Sequence, residues 1–171
     1  MSFSQTLLPE FDEEMQNTRK MLERIPDDKF DYQPHPRSMT LGRLASHVAE
    51  IPSWAIVTLE QELFELPADF KPEIATSRNE LLQKFDQGVT GARARITAAS
   101  DQDWQKIWTM KFAGHTIMSM PRAAVMRGAI LNHLIHHRAQ LGVFLRLNDI
   151  QIPGMYGPSA DEQNIFQTQA A

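Results

Sequence analysis

A chain of 171 residues, 42% of them hydrophobic, can bury one contiguous core and predicts a single domain over residues 1–171. Its 17 Lys and Arg stand against 21 Asp and Glu, a formal charge of −4 that leaves no cationic surplus for a phosphate backbone and argues against nucleic acid as a partner. With no cysteine, disulfides, a cysteine nucleophile, an iron–sulfur cluster and a thiolate-rich zinc site are excluded, so metal chemistry would have to run on His, Asp and Glu.

The opening MSFSQTLLPEFDEE lacks a basic start followed by an apolar run, and no stretch approaches the roughly 18 apolar residues of a membrane span, which predicts a cytoplasmic protein with no membrane partner. From Phe3 to Ile25, Phe11, Met15, Leu22 and Ile25 recur at helical spacing, and Pro26 ends this first helix. The polar connector PDDKFDYQPHPRS leads to Thr40, an N-cap for a second helix with Leu44, Val48, Ile51 and Ala55 on one stripe and an end near Leu63. Pro52 lies inside it and must bend the ladder near the Val48 carbonyl, one turn after His47. Past the loop ELPADFKPEI, a third helix carries Leu82, Phe85, Val89, Ala92, Ile96 and Ala99 at spacings of three and four, as bundle packing requires.

From Trp108 the pattern alternates: Trp108, Met110 and Phe112 are separated by Thr109 and Lys111, and Gly114 permits a turn before Thr116 to Met120. This reads as a short hairpin or extended excursion. Pro121 can occupy the first turn of a fourth helix whose stripe of Ile130, Leu134, His137, Leu141 and Phe144 runs to about Asn148, and the tail IPGMYGPSADEQ is rich in turn formers. Four long helices with medium-length connectors predict an all-α four-helix bundle, with an optional short hairpin before the last helix.

The fourth helix contains LNHLIHHRAQL. His133 and His137, four residues apart, project from one face about a turn apart, close enough to bind one ion together, while His136 points aside. An HxxxH pair is a weak motif by itself, and a buried His is more often satisfied by a hydrogen bond than by a metal. His47, three residues after Leu44 and four before Ile51, adjoins the inward stripe of the second helix and would bring a third nitrogen opposite the pair. On spacing alone, a metal site and hydrogen-bonded core histidines stand level. His35, between Pro34 and Pro36, reads as a solvated loop residue, and His115, beside Gly114, as a surface turn residue unless the hairpin folds over the bundle mouth.

The segments TLGRLASHVAEIPSW, HLIHHRAQL and IPGMYGPSADE, in this order, resemble the DinB/YfiT-like bundles over nearly the whole chain. The resemblance implies that His47, His133 and His137 ligate one divalent metal ion, with Arg138 and Gln140 as accompanying motif residues; zinc and nickel both suit imidazole ligands. Ala139 stands where Gly is often found. It also implies a metalloenzyme, foremost a thiol-dependent S-transferase using a low-molecular-weight thiol and a second small-molecule substrate, or a metal-dependent hydrolase. Homodimers are common among such proteins, and Val57, Leu59 and Phe64, apolar yet outside the main stripe of the second helix, fit a homodimer face.

Three neutral imidazoles leave the full double charge on an ion, so it can acidify a water or polarise a thiol or carbonyl. Glu50, one turn beyond His47, is either a base, a solvated carboxylate or a partner of a histidine. Tyr156 and Asp161 either close over the bundle mouth or fix a loop, Arg138 makes a structural ion pair or an anion clamp, and Trp54 lines the pocket. The catalytic residues stay unknown at this stage. A third reading is a metal- or ligand-binding helical dimer without turnover, whose site would be filled by a fourth protein ligand such as Glu50 or His115.

Overall fold

The computed structural model describes residues 1–162. Helix α1 (Phe3–Leu22) starts with Ser2 and Gln5 in a reciprocal capping box. It stops at Leu22, four residues before Pro26, yet Ile25 is still fully buried because the chain turns inward behind the helix. Thr40 caps α2 (Leu41–Glu50) as predicted, its hydroxyl accepting from the Arg43 amide at 3.2 Å. Pro52 does more than bend the second helix. It divides it into α2, a 3₁₀ turn over Ile51–Ser53 and α3 (Trp54–Glu60), with the Ser53 hydroxyl donating to the Glu50 carbonyl at 2.6 Å.

Where the second helix was expected to finish, the chain is extended. Gln61 takes φ −119° and ψ 159°, and β1 (Leu63–Leu66) follows with Phe64 and Leu66 turned inward while Leu63 and Glu65 are exposed. Helix α4 (Arg78–Ala98) then buries Leu81, Phe85, Gly88, Ala92 and Ile96, and the short α5 (Asp101–Gln105) precedes the hairpin. Strands β2 (Ile107–Phe112) and β3 (His115–Pro121) pair antiparallel, with Phe112 opposite His115. The two residues between them, Ala113 and Gly114, have φ of 49° and 81°, the positive pair that a type I′ turn demands and that Gly accepts without strain.

The all-α four-helix bundle is therefore corrected. Beside the helices stands a three-stranded mixed sheet in the order β1-β2-β3, with β1 parallel to β2 and α4 and α5 forming the crossover between them. The hairpin was visible as an alternation; its parallel neighbour was not, because LFEL is too short to declare a period and its partner lies more than forty residues downstream.

The last helical run also differs from the single helix expected. Helix α6 (Arg122–Val125) passes into a π-helical stretch over Met126–Asn132 before α7 (His133–Arg146). Such wide turns are rare and concentrate at functional sites. The core joins Leu7, Phe11, Leu44, Ile51, Phe85, Ile96, Leu134 and Leu141, each at most 2% exposed, across α1, α2, α4 and α7 and the 3₁₀ turn. No helix among the described residues is long and apolar enough to cross a membrane.

Candidate metal centre

His47 sits near the end of α2, His133 is the first residue of α7, and His137 follows one turn later. The inward stripe of α7 runs through Leu134, Arg138, Leu141 and Leu145, so His133 and His137 lie on its shoulder, half-buried. The three Nε2 atoms converge: His47 is 3.3 Å from His133, and His133 is 2.8 Å from His137. Ligand atoms of all three lie within 4.8 Å of one another. Nitrogens held about 2.0–2.1 Å from one tetrahedral ion lie roughly 3.3 Å apart, which is the His47–His133 separation, while the His133–His137 pair would have to open by about half an ångström.

The outer nitrogens fix the tautomers. His47 Nδ1 lies 2.7 Å from Glu50 Oε1, His137 Nδ1 2.7 Å from Gln140 Oε1, and His133 Nδ1 3.2 Å from the carbonyl of Ala129, a residue of the π-helical stretch. A carboxylate, an amide oxygen and a backbone carbonyl accept only, so each Nδ1 carries the proton and donates it outward. Each Nε2 is then left with a lone pair aimed at the other two. Three converging lone pairs repel unless a cation stands among them, and protonation is opposed because burial, followed by the charge of His47, lowers the pKa of His133. Burial likewise lowers His137, against the pull of its bond to Gln140.

The other sequence-predicted residues sort clearly. Glu50 holds the back of His47 and is not a member of the nitrogen cluster. Trp54 packs with its ring centroid 5.5 Å from His47 and 5.3 Å from His133. His136, His35 and His115 are exposed, His35 Nδ1 accepting from the Arg37 amide and His115 lying on the hairpin. Among the described residues, neither Glu50 nor His115 joins the three histidines as a fourth ligand.

Arg138 is no clamp at the rim. Its side chain is 2% exposed, lies 2.7 Å from Glu14 Oε2, and donates to the Glu14 carbonyl, the Thr18 hydroxyl and the Tyr156 hydroxyl. Tyr156 in turn donates to Glu14 Oε1, and Asp161 accepts from Arg146 and from the Ile152 amide, so both tail residues fix the loop against α1 and α7.

A cavity of about 360 Å³ opens beside His47 and His133, between α2, α3, the π-helical stretch and the inner face of the sheet. Glu50 and Trp54 line it, with Phe64 and Leu66 from β1 and Trp108 and Met110 from β2. Val57 and Phe64, expected on an outer face, belong to this wall, and Leu59 packs against the core. Sequence reading passed over Arg43, Thr58 and Trp108 as cavity residues; Arg43 precedes His47 by four positions and so shares its face, a signal that was available. A second hollow of about 430 Å³, lined in part by Leu59, Arg95 and Asp103, offers no comparable cluster, since Arg95 is paired with Glu60 and Asp103 with Lys106.

Known proteins share this architecture. A DinB-like protein from Bacillus cereus ATCC 10987 superposes with a TM-score of 0.67 at 22% identity, covering 87% of this chain and 95% of that one. The DinB-like protein YjoA of Bacillus subtilis also gives 0.67, at 18% identity over 90% of this chain and 99% of its own. In sequence, the chain is 28% identical over 155 residues to a Bacillus subtilis (strain 168) protein called "Uncharacterized protein YrdA", covering 90% of this chain and 87% of the relative. The model of the DinB family matches residues 1–169, and the chain belongs to that family.

Proposed function

We propose that the protein is a metalloenzyme in which His47, His133 and His137 hold one divalent ion, zinc or nickel, and that it transfers a low-molecular-weight thiol to an electrophilic small molecule. The observation that carries the reading is the set of three Nε2 lone pairs converging while every Nδ1 proton is directed outward. When bound, such an ion supplies a Lewis acid that lowers the pKa of a thiol or a water. Glu50 keeps His47 in the tautomer that offers Nε2, and Ala129 and Gln140 do the same for the other two. Trp54, Phe64 and Met110 give the cavity beside the ligand set an apolar wall.

Thiol transfer is favoured over hydrolysis by one feature. A metal-activated thiol needs only a path for its proton, whereas attack by water gains from a positioned base, and Glu50, the carboxylate beside the cluster, is engaged by His47. The experiment is elemental analysis of the purified protein, expected to give close to one equivalent of metal, with loss of that metal in His47→Ala and His133→Ala. Cobalt-substituted protein is then expected to develop sulfur-to-metal charge transfer with millimolar thiol. Stoichiometric metal in the triple alanine variant sinks the ligand set; an unchanged cobalt spectrum together with turnover of an ester replaces transfer by hydrolysis; tight metal without either activity leaves a binding protein. A homodimer, proposed on family likeness alone now that Val57 and Phe64 face inward, is tested by sedimentation velocity.

A further inference from the structure

Three residues that line the cavity each carry a solvent-shielded side-chain atom with no partner among the described residues: Arg43 Nη1, Thr58 Oγ1 and Trp108 Nε1. Trp108 is 5% exposed and Thr58 1%, so neither side chain reaches bulk water for the missing bond. Buried polar atoms are normally satisfied, so three of them on residues lining one cavity mark a place where partners arrive with a ligand; Arg43, unlike the other two, is only partly buried. Glu50, seven residues after Arg43 and the only carboxylate in the described lining, is bonded to His47 Nδ1 and forms no ion pair with Arg43. Among the described residues the cavity thus carries one cation without an ion pair, inside walls that are otherwise mainly apolar, among them Phe64, Met110 and Met118. Its volume of about 360 Å³ falls at the small end of the range for cavities that take small organic molecules.

We infer that the cavity selects an apolar organic carboxylate of about this size, whose anionic oxygens take the unmade bond of Arg43, with Trp108 Nε1 and Thr58 Oγ1 as further partners, and whose hydrocarbon body lies against the sheet. A planar guanidinium suits a carboxylate through paired N–H bonds, and the low-polarity wall strengthens the attraction. The inference names the substrate class of the proposed enzyme. It rests on the metal reading only in taking the molecule's other end to be the reacting one; recognition by Arg43 does not require the ion.

Calorimetric titration with 4-phenylbutyrate and with 4-phenylbutanol, its neutral counterpart, tests this. The protein as purified is expected to bind the carboxylate at least tenfold more tightly than the alcohol. Arg43→Met and Arg43→Gln should abolish that preference with alcohol binding unchanged, and Arg43→Lys should keep part of it. The preference should survive chelation of the metal. Equal affinity for the two compounds, binding of neither, or a preference retained in Arg43→Met overturns the inference. If Arg43→Met keeps the preference and chelation removes it, the carboxylate sits on the ion, which refutes anion recognition by Arg43 while supporting the metal centre. A preference that persists in a protein shown to bind no metal supports the Arg43 site and leaves the metal reading to fall alone.

Discussion

Replacing Glu50 by Ala removes the acceptor for His47 Nδ1–H without touching any nitrogen that faces the centre. The imidazole can then turn or take the other tautomer, in which Nε2 carries a proton and cannot ligate. Losing the outer partner of a metal-bound His typically lowers affinity 10- to 100-fold, about 1.4–2.7 kcal/mol. The Glu50 side chain is 31% exposed, so water can partly replace its oxygen, which moves the expectation to the lower end, about 10- to 30-fold. Glu50→Gln keeps an amide oxygen as acceptor and loses only the charge, so a loss of roughly threefold is expected. The assay is competition for zinc against a fluorescent chelator at fixed pH, with thermal unfolding to verify the fold. Affinity in Glu50→Ala within twofold of wild type refutes the positioning role. A loss as complete as in His47→Ala would instead make Glu50 a ligand in its own right.

Local signals in the sequence carried the parts of this structure that local physics decides. Thr40 announced a helix start through its own hydroxyl, Gly114 announced a turn through its free φ, and HxxxH placed two imidazoles side by side because helical pitch alone does that. Pro52 signalled a disturbance, but its extent, a complete break with a 3₁₀ turn, depends on how α4 packs there: Gly88 lets the backbone near Ser53 come within 3.3 Å of where a Cβ would stand. The parallel pairing of β1 with β2 is a tertiary event with no local mark. The same holds for the π-helical stretch, where MRGAILN reads as ordinary helix, yet one of its carbonyls meets His133 Nδ1. Reading His137 as an inward residue misjudged the stripe by one position, because the buried guanidinium of Arg138 takes the inward place with Glu14 as its partner. A charged residue on an inward face is legible only when its counter-charge, 124 residues away, is known.

Gly42→Ala should destabilise the protein by about 1–2 kcal/mol despite better helix propensity, because the new Cβ would stand 2.7 Å from Phe30 Cδ1 and 3.1 Å from the Phe30 carbonyl that the Gly42 amide bonds. Thermal unfolding at or above the wild-type midpoint counts against that close approach. For metal-free protein, the folded-state pKa values of His133 and His137 lie below the ordinary 6.5, so the unfolded chain takes up protons first as pH falls. The associated stability is present above pH 6.5 and is lost on acidification, and a His133→Gln/His137→Gln variant should show a shallower decline between pH 7 and 5; identical slopes refute it. Arg138→Met leaves the Glu14 carboxylate, 8% exposed, without its cation and the Tyr156 hydroxyl without one of its two partners. Removing one partner of a buried pair costs about 3–5 kcal/mol, which for a chain of this length lowers Tm by roughly 6–20 °C. Pairing the change with Glu14→Leu should recover most of the loss, since replacing both charges removes the unpaired one. Metal stoichiometry should stay at the wild-type value, because the guanidinium contacts α1 and the tail and none of the three nitrogens. A normal Tm with lost metal would move Arg138 from the scaffold into the metal site.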